Sequence, residues 1–279
     1  MSADPFDDPA LDESLDLYQL LADAVDSLLS MTGAQIVASL AIVGIASDVL
    51  AESLLVRVFE DTLTLVRENA DTSQPEVQQL ITDLERTIEA AGLTVDLSAP
   101  VLLVGLLALA ILVEAIRIVA VRAFANDELD GVPRALAARR LPIAAAYGFV
   151  AVILIYLAIG IVSVLTFFLL FVPALFVYIG LLFVRQEIAV ADKGPIQAIS
   201  GSWGLVKGNR WEILGLAVVL FLVTLGTWVL ASLLVGPAGT VGGALLGAVN
   251  LTFGTALVTE AYVRLSARSD DRPDRQPSI

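Results

Sequence analysis

The 279-residue chain contains no cysteine and no histidine. These absences exclude disulfides, thiol nucleophiles, imidazole bases and zinc sites of the usual Cys/His type. A Ser-His-Asp triad and a histidine proton relay are excluded for the same reason. We therefore expect a protein that is not an enzyme, holds no metal and needs no cofactor.

Lysine is also scarce, since Lys193 and Lys207 are the only lysines among 16 basic residues. With 30 acidic residues, the formal net charge is −14. This composition resembles that of proteins from salt-loving archaea, where a Debye length of about 3 Å in molar salt weakens the repulsion between acids. The alternative is an acidic protein from a low-salt cell. Nucleic acid is not an expected partner, because its phosphates would meet a surface of like charge.

Apolar residues make up 57% of the chain, and the mean hydropathy is +0.85. Soluble domains are only about 45–50% apolar. The apolar residues lie in long runs, which predicts an all-α polytopic membrane bundle with its membrane domain at 31–263. Six transmembrane helices are predicted, at 34–50, 99–121, 142–160, 164–184, 213–235 and 240–263. Pro173 should kink the fourth of them.

The N-terminal segment, residues 1–30, is acidic and contains no Lys or Arg. Residues 1–10 predict disorder, whereas apolar residues at helical spacing between 11 and 29 predict an amphipathic helix. Helices that lie on a membrane surface usually have a basic polar face. Because this helix is acidic, we expect it to dock on the protein itself, with the membrane surface as the alternative. The C-terminal tail, residues 264–279, is predicted to be disordered.

An outer helical hairpin is predicted at 51–97, because the helical pattern of the first span continues to Val66 and a second apolar stripe follows at 77–88. Between the two stripes, Ser73-Gln74-Pro75-Glu76 has the pattern of a capping box with an early proline. The stripes should pack on each other outside the membrane. A partner-binding surface is the alternative.

The basic residues are divided unevenly between the two sides of a six-span bundle. The loops at 122–141 and 185–212 and the C-terminal tail carry four each, whereas the outer segment at 51–98 carries three. The positive-inside rule therefore predicts a multi-pass protein of the cell membrane with both termini in the cytoplasm.

Two opposite charges, Glu114 and Arg117, lie three residues apart inside the second predicted span. An isolated charge in hydrocarbon costs at least about 2.5–3.5 kcal/mol, and this spacing allows the two to pair along one helix face. One interpretation is an ion or substrate site facing the bundle interior, as in a small-solute or ion transporter or channel. The other is a self-satisfied structural pair, with Arg117 reaching towards the inner interface.

The inner loop at 185–212 predicts a short interfacial helix, because Gly194-Pro195 is a helix start and Gly208-Asn209 is a helix end. One apolar face is predicted, formed by Ile196, Ile199, Trp203 and Val206. Tryptophan suits the headgroup layer and basic residues suit phosphates. The predicted lipid-headgroup or partner contacts are Lys193, Trp203, Lys207, Arg210 and Trp211.

The last span is rich in small residues, with Gly239, Gly243 and Gly247 at GxxxG spacing. Small residues let helices approach closely. Packing within the chain is the simpler interpretation, and a homo-oligomer interface is the alternative.

A family resemblance is carried by the pattern Gly194-Pro195-x-x-Ala198-x-x-x-Ser202-Trp203-x-Leu205-x-Lys207-Gly208-Asn209-x-Trp211, which follows a proline-containing span. It resembles the membrane domain associated with glycerophosphoryl diester phosphodiesterases, and most of all its stand-alone haloarchaeal relatives, over about residues 99–263. In the fused members a separate soluble barrel performs the hydrolysis. This chain leaves no room for such a barrel and lacks its histidines, so the resemblance implies the membrane architecture without that activity.

Together these observations predict a non-enzymatic integral membrane protein, a scaffold or accessory factor in lipid or envelope processes whose cytoplasmic loop contacts headgroups. Membrane lipids are the expected partners, with a second copy or another membrane protein as further possibilities. Transport through Glu114 and Arg117 is the alternative function.

Overall fold

The computed structural model describes residues 15–165, 172–234 and 236–270, and these residues form helices and no strands. The helices in chain order are α1 Leu17–Leu29, α2 Met31–Asn69, α3 Pro75–Glu89, α4 Ala99–Phe124, α5 Arg134–Ala138, α6 Leu141–Leu165, α7 Val172–Gly180, α8 Val184–Ala189, α9 Pro195–Val206, α10 Arg210–Ser232 and α11 Gly236–Asp270.

Five helical segments in the described part of the chain are long and apolar enough to cross a membrane: Met31–Asn69, Ala99–Phe124, Leu141–Ser163, Arg210–Ser232 and Gly236–Arg268. Each exceeds the length of about 20 residues that the hydrocarbon core requires. The prediction of an all-helical membrane protein is therefore confirmed. The predicted fourth span at 164–184 crosses residues 166–171, which lie outside the described residues, and Pro173 lies in the first turn of α7.

The first predicted span continues without a break, as α2 is a single helix of 39 residues. The capping box predicted after it is wrong. The backbone N–H and the hydroxyl of Ser73 both donate to Asp71, at 3.0 and 2.6 Å, so Gln74 becomes the N-cap of α3 and caps it with no side-chain bond. These hydrogen bonds lower the pKa of the Asp71 carboxyl.

The apolar stripe of α3 contacts the rest of the chain less closely than the predicted hairpin packing implies. No residue of α3 is buried, and Leu80 is 47% exposed. An exposed ion pair of 2.5 Å links Arg67 on α2 to Glu85 on α3, and such pairs contribute at most about 1 kcal/mol.

The chain divides into two compact units. Unit 1 comprises 1–36, 114–224 and 251–279, and unit 2 comprises 37–113 and 225–250. Within unit 2, Ser53 on α2 accepts a 2.8 Å hydrogen bond from the backbone N–H of Val95, and Ala244 on α11 lies against Gly44, where an added Cβ would be 3.4 Å from its own. Gly243 and Gly247 meet no neighbouring atoms, so Ala244 and not the glycine series makes this close contact.

In unit 1, the predicted self-docking of the N-terminal helix is confirmed. Leu20 and Ala24 on α1 are completely buried, and Asp23 pairs with Arg264 on α11. The helix begins at Leu17 because Asp16 caps it, accepting from the backbone N–H of Tyr18 at 2.9 Å. Residues 1–14 of the predicted N-terminal segment and 271–279 of the predicted tail lie outside the described residues.

Candidate functional site: a buried charge network beside a basic groove

Glu114 on α4 is buried, with 4% of its surface exposed. Its carboxylate accepts two hydrogen bonds from Arg185 on α8, from Nε at 3.0 Å and from Nη2 at 2.8 Å. Arg117, the predicted partner, is 3.8 Å away and makes only the outer contact. The predicted self-satisfied pair is therefore wrong in its main partner. The charge of Glu114 is neutralised by a planar guanidinium from another helix, a geometry that suits carboxylates.

The position of Arg185 depends on how α8 is held. Ser202 on α9 accepts a 3.1 Å hydrogen bond from the backbone N–H of Phe183 and donates one of 2.8 Å to the carbonyl of Gly180. It thus satisfies two backbone groups between α7 and α8. A side chain on Gly180 would collide with the indole of Trp203, so glycine permits this close approach.

Two guanidinium groups beside one carboxylate give this cluster an excess positive charge. The Nε atom of Arg117 is buried and has no hydrogen-bond partner among the described residues. Both oxygens of Glu114 are engaged by Arg185, so the carboxylate serves to hold α4 and α8 together. On α6, Gly148 lies so close that an added Cβ would be 3.1 Å from Glu114 Oε2.

A second buried cation, Arg122, was treated in the sequence as a simple loop charge. Only 3% of it is exposed. It donates from Nε to the carbonyl of Ala189 at 2.9 Å, and from Nη1 to the carbonyls of Leu136 and Arg139. Residues 114, 118 and 122 share one face of α4, so the burial of Arg122 could have been inferred by extending the helix one turn.

Arg122 also belongs to an ion-pair network in the loop before α9. Asp192 contacts Arg122 at 3.7 Å and Arg139 at 2.5 Å. Next to it, Lys193 pairs with Glu187, which is 3% exposed. Lys193, a predicted headgroup contact, is therefore engaged by the protein while its side chain stays 39% exposed.

Beside this network lies a cavity of about 680 Å³ between the start of α6 and the start of α9. We call it the α6–α9 groove. The lining residues that matter here are Arg140, Ile143, Tyr147, Asp192, Lys193 and Ile196.

The predicted interfacial helix exists as α9, and it begins at Pro195 with Gly194 as its N-cap, as predicted. Its predicted buried face is wrong. The buried residues are Ala198, Ser202 and Val206, whereas Ile196 is 80% exposed and Trp203 is 37% exposed. Small side chains on that face allow α9 to approach α8 closely.

The five predicted headgroup contacts do not form one cluster. Lys193 lies before α9, whereas the other four lie at its far end or at the start of α10. There, the Arg210 guanidinium lies 4.7 Å from the centre of the Phe176 ring, and Trp211 is 85% exposed. Lys207 is exposed and makes no ion pair with the described residues.

Within the described part of the chain, no group of three or more acidic residues is arranged to hold a metal ion. The chain has no match among curated proteins and none among solved structures. The model of a family described as a domain of unknown function (DUF7847) matches residues 15–265, so the chain belongs to that family.

Proposed function

We propose that this protein is a non-enzymatic, six-span protein of the cell membrane, with both termini in the cytoplasm, that serves as a scaffold or accessory factor in lipid or envelope processes. Its cytoplasmic loop at 185–212 contacts lipid headgroups. The acidic, lysine-poor composition favours a salt-loving archaeal cell, and the Gly194–Trp211 pattern favours a relationship with the membrane domain of glycerophosphoryl diester phosphodiesterases.

The observation that carries this proposal is the exposed end of α9. The helix is fixed to the protein by its small-residue face, which leaves Trp203, Lys207 and Trp211 accessible at its C-terminal end. Gly208 turns the chain there with a φ of 108° and leads directly into α10. Exposed tryptophan beside basic residues at the start of a membrane helix is typical of the headgroup layer.

The proposed topology predicts an all-or-none labelling pattern. Because the chain has no cysteine, each introduced cysteine is the only thiol. Thr72→Cys should react with a membrane-impermeant maleimide in intact cells, whereas Ser2→Cys and Ser278→Cys should react only after permeabilisation. Labelling of one terminus but not the other in intact cells would show an odd number of spans and overturn the proposed topology.

The proposed headgroup contact predicts where the tryptophans lie in the bilayer. In a Trp228→Phe variant, Trp203 and Trp211 report alone, and their fluorescence should be quenched most by lipids brominated near the headgroup. The matched control is Trp203→Phe/Trp211→Phe, in which Trp228, 68% exposed on α10, should be quenched most by bromines deep in the chains. Deep quenching or none in the first variant would refute the contact.

Transport is the second candidate function, and the buried, unbonded Nε of Arg117 beside Glu114 favours it. A group of this kind could bind an anion that enters the bundle. Reconstituted vesicles should then show flux of a small anion that is lost in Arg117→Gln. Absence of flux across a panel of inorganic and carboxylate anions would remove this candidate.

A further inference from the structure

The α6–α9 groove combines features that the proposed contact at the other end of α9 does not use. It has a volume of about 680 Å³ and is formed by the beginnings of two helices and the loop before α9. Its walls are of two kinds, with Arg140, Asp192 and Lys193 on one side and Ile143 and Tyr147 on the other.

The charge around the groove is opposite to that of the whole protein. Four basic side chains line it or pair with its lining residues, against two acidic ones. The basic residues are Arg122, Arg139, Arg140 and Lys193, and the acidic ones are Glu187 and Asp192. The groove is therefore locally positive in a chain whose net charge is −14, and an anionic ligand complements it.

Arg140 is the basic residue best able to bind that ligand. It is exposed, lines the groove, and forms no ion pair with the described residues, whereas the other three cations are paired with Glu187 or Asp192. A guanidinium without a carboxylate partner retains all its donors for a phosphate.

The backbone is strained at two positions that line the groove. Arg140 has a φ of 43° and Asp192 a φ of 52°. Residues other than glycine rarely adopt this left-handed conformation, and such strain is often found at binding sites.

The other wall of the groove continues as an exposed apolar surface on α6. Ile143, Tyr147 and Val150 are 55%, 40% and 45% exposed and recur at a spacing that places them on one face of the helix. α6 belongs to a segment apolar enough to cross a membrane. A hydrocarbon chain could therefore lie along this face while a polar head occupies the groove.

We propose that the α6–α9 groove binds one anionic phospholipid, with its phosphate at Arg140 and Lys193 and an acyl chain along Ile143, Tyr147 and Val150. This inference rests on the proposed contact between the 185–212 loop and headgroups, and it names the lipid class and the residues that recognise it. A free phosphate or small soluble anion would use the cations but leave the apolar wall unoccupied.

The test is lipid retention by the full-length protein, measured by native mass spectrometry after exchange into mixed micelles of phosphatidylglycerol and phosphatidylcholine. The wild type should retain one phosphatidylglycerol in preference to phosphatidylcholine. Arg140→Gln should lower that retention roughly tenfold, the effect expected from losing a charge-assisted hydrogen bond. Arg134→Gln is the matched control, since Arg134 is exposed on the neighbouring α5 and does not line the groove, and it should retain lipid as the wild type does.

Two further arms separate the possible sources of the phosphate and the two proposals. Soluble glycerol 1-phosphate at the same concentration should not displace the lipid; displacement would show that the groove binds a free phosphate and would overturn the lipid assignment. Lys207→Ala/Arg210→Ala should alter the tryptophan quenching and leave lipid retention intact. Equal retention in the wild type and Arg140→Gln, with normal quenching, would reject the groove alone, whereas Arg140-dependent retention without headgroup quenching would reject the proposed loop contact alone.

Discussion

Replacing Glu114 with glutamine is expected to lower the free energy of unfolding by about 3–5 kcal/mol, the usual cost of removing one partner from a buried ion pair. The substitution keeps the size of the side chain and removes its charge. Arg185 would then lose the acceptor of both of its hydrogen bonds, and Arg117 would lose its only acidic neighbour within 4 Å among the described residues. Two guanidinium groups would remain in a region with little water.

Thermal melts or detergent-induced unfolding followed by circular dichroism would measure this loss. Glu85→Gln is the control, because it removes a carboxylate from the exposed pair with Arg67 and should cost about 0–1 kcal/mol. The double variant Glu114→Gln/Arg185→Gln should recover part of the loss, since it removes one of the uncompensated charges. If Glu114→Gln proved no more harmful than Glu85→Gln, the pairing described here would be wrong.

Replacing Arg122 with methionine is expected to cost about 3–5 kcal/mol as well. Methionine fills a similar space without any donor, so three backbone carbonyls lose their hydrogen bonds and Asp192 loses one of its cations. The carbonyls belong to the loop before α6 and to the end of α8, and Arg122 is the side chain that connects those two segments.

Arg122→Lys is the informative companion to the methionine variant. It keeps the positive charge, but a single ammonium group cannot reach the same carbonyls in the fork geometry of a guanidinium. We expect at least half of the loss to remain, as measured by the same unfolding assay. Full stability in Arg122→Lys would show that charge alone matters, and Arg86→Met, at an exposed position on α3, provides the baseline for an unburied arginine.

The membrane helices could be predicted because an apolar run of sufficient length has few alternatives in a helical protein. The start of α9 was equally readable, since Gly194 and Pro195 determine the local backbone. The buried face of α9 was not. In a water-soluble protein the apolar stripe marks the core, but in a membrane protein apolar residues such as Ile196 can face lipid, and the small residues Ala198 and Ser202 mark the packing face.

The partner of Glu114 was beyond sequence reasoning for a different reason. Spacing along a helix reveals contacts between neighbours such as Arg117, whereas Arg185 lies 71 residues further along the chain. Which distant cation meets a buried carboxylate is decided by the tertiary packing of α4 against α8. The Arg122 contacts to the carbonyls of Ala189 and Arg139 depend on the same packing.

The distance in sequence between Glu114 and Arg185 has a consequence for how the protein is made. At a synthesis rate of about 5–20 residues per second, the 71 residues that separate them take about 4–14 s to emerge from the ribosome. During that interval α4 must enter the bilayer with an acid whose final partner has not yet been synthesised. Arg117, three residues away, is the only cation of α4 close enough to accompany Glu114 through this stage. We therefore expect Arg117 to act first as a companion during insertion and to yield the carboxylate to Arg185 only when α8 is in place.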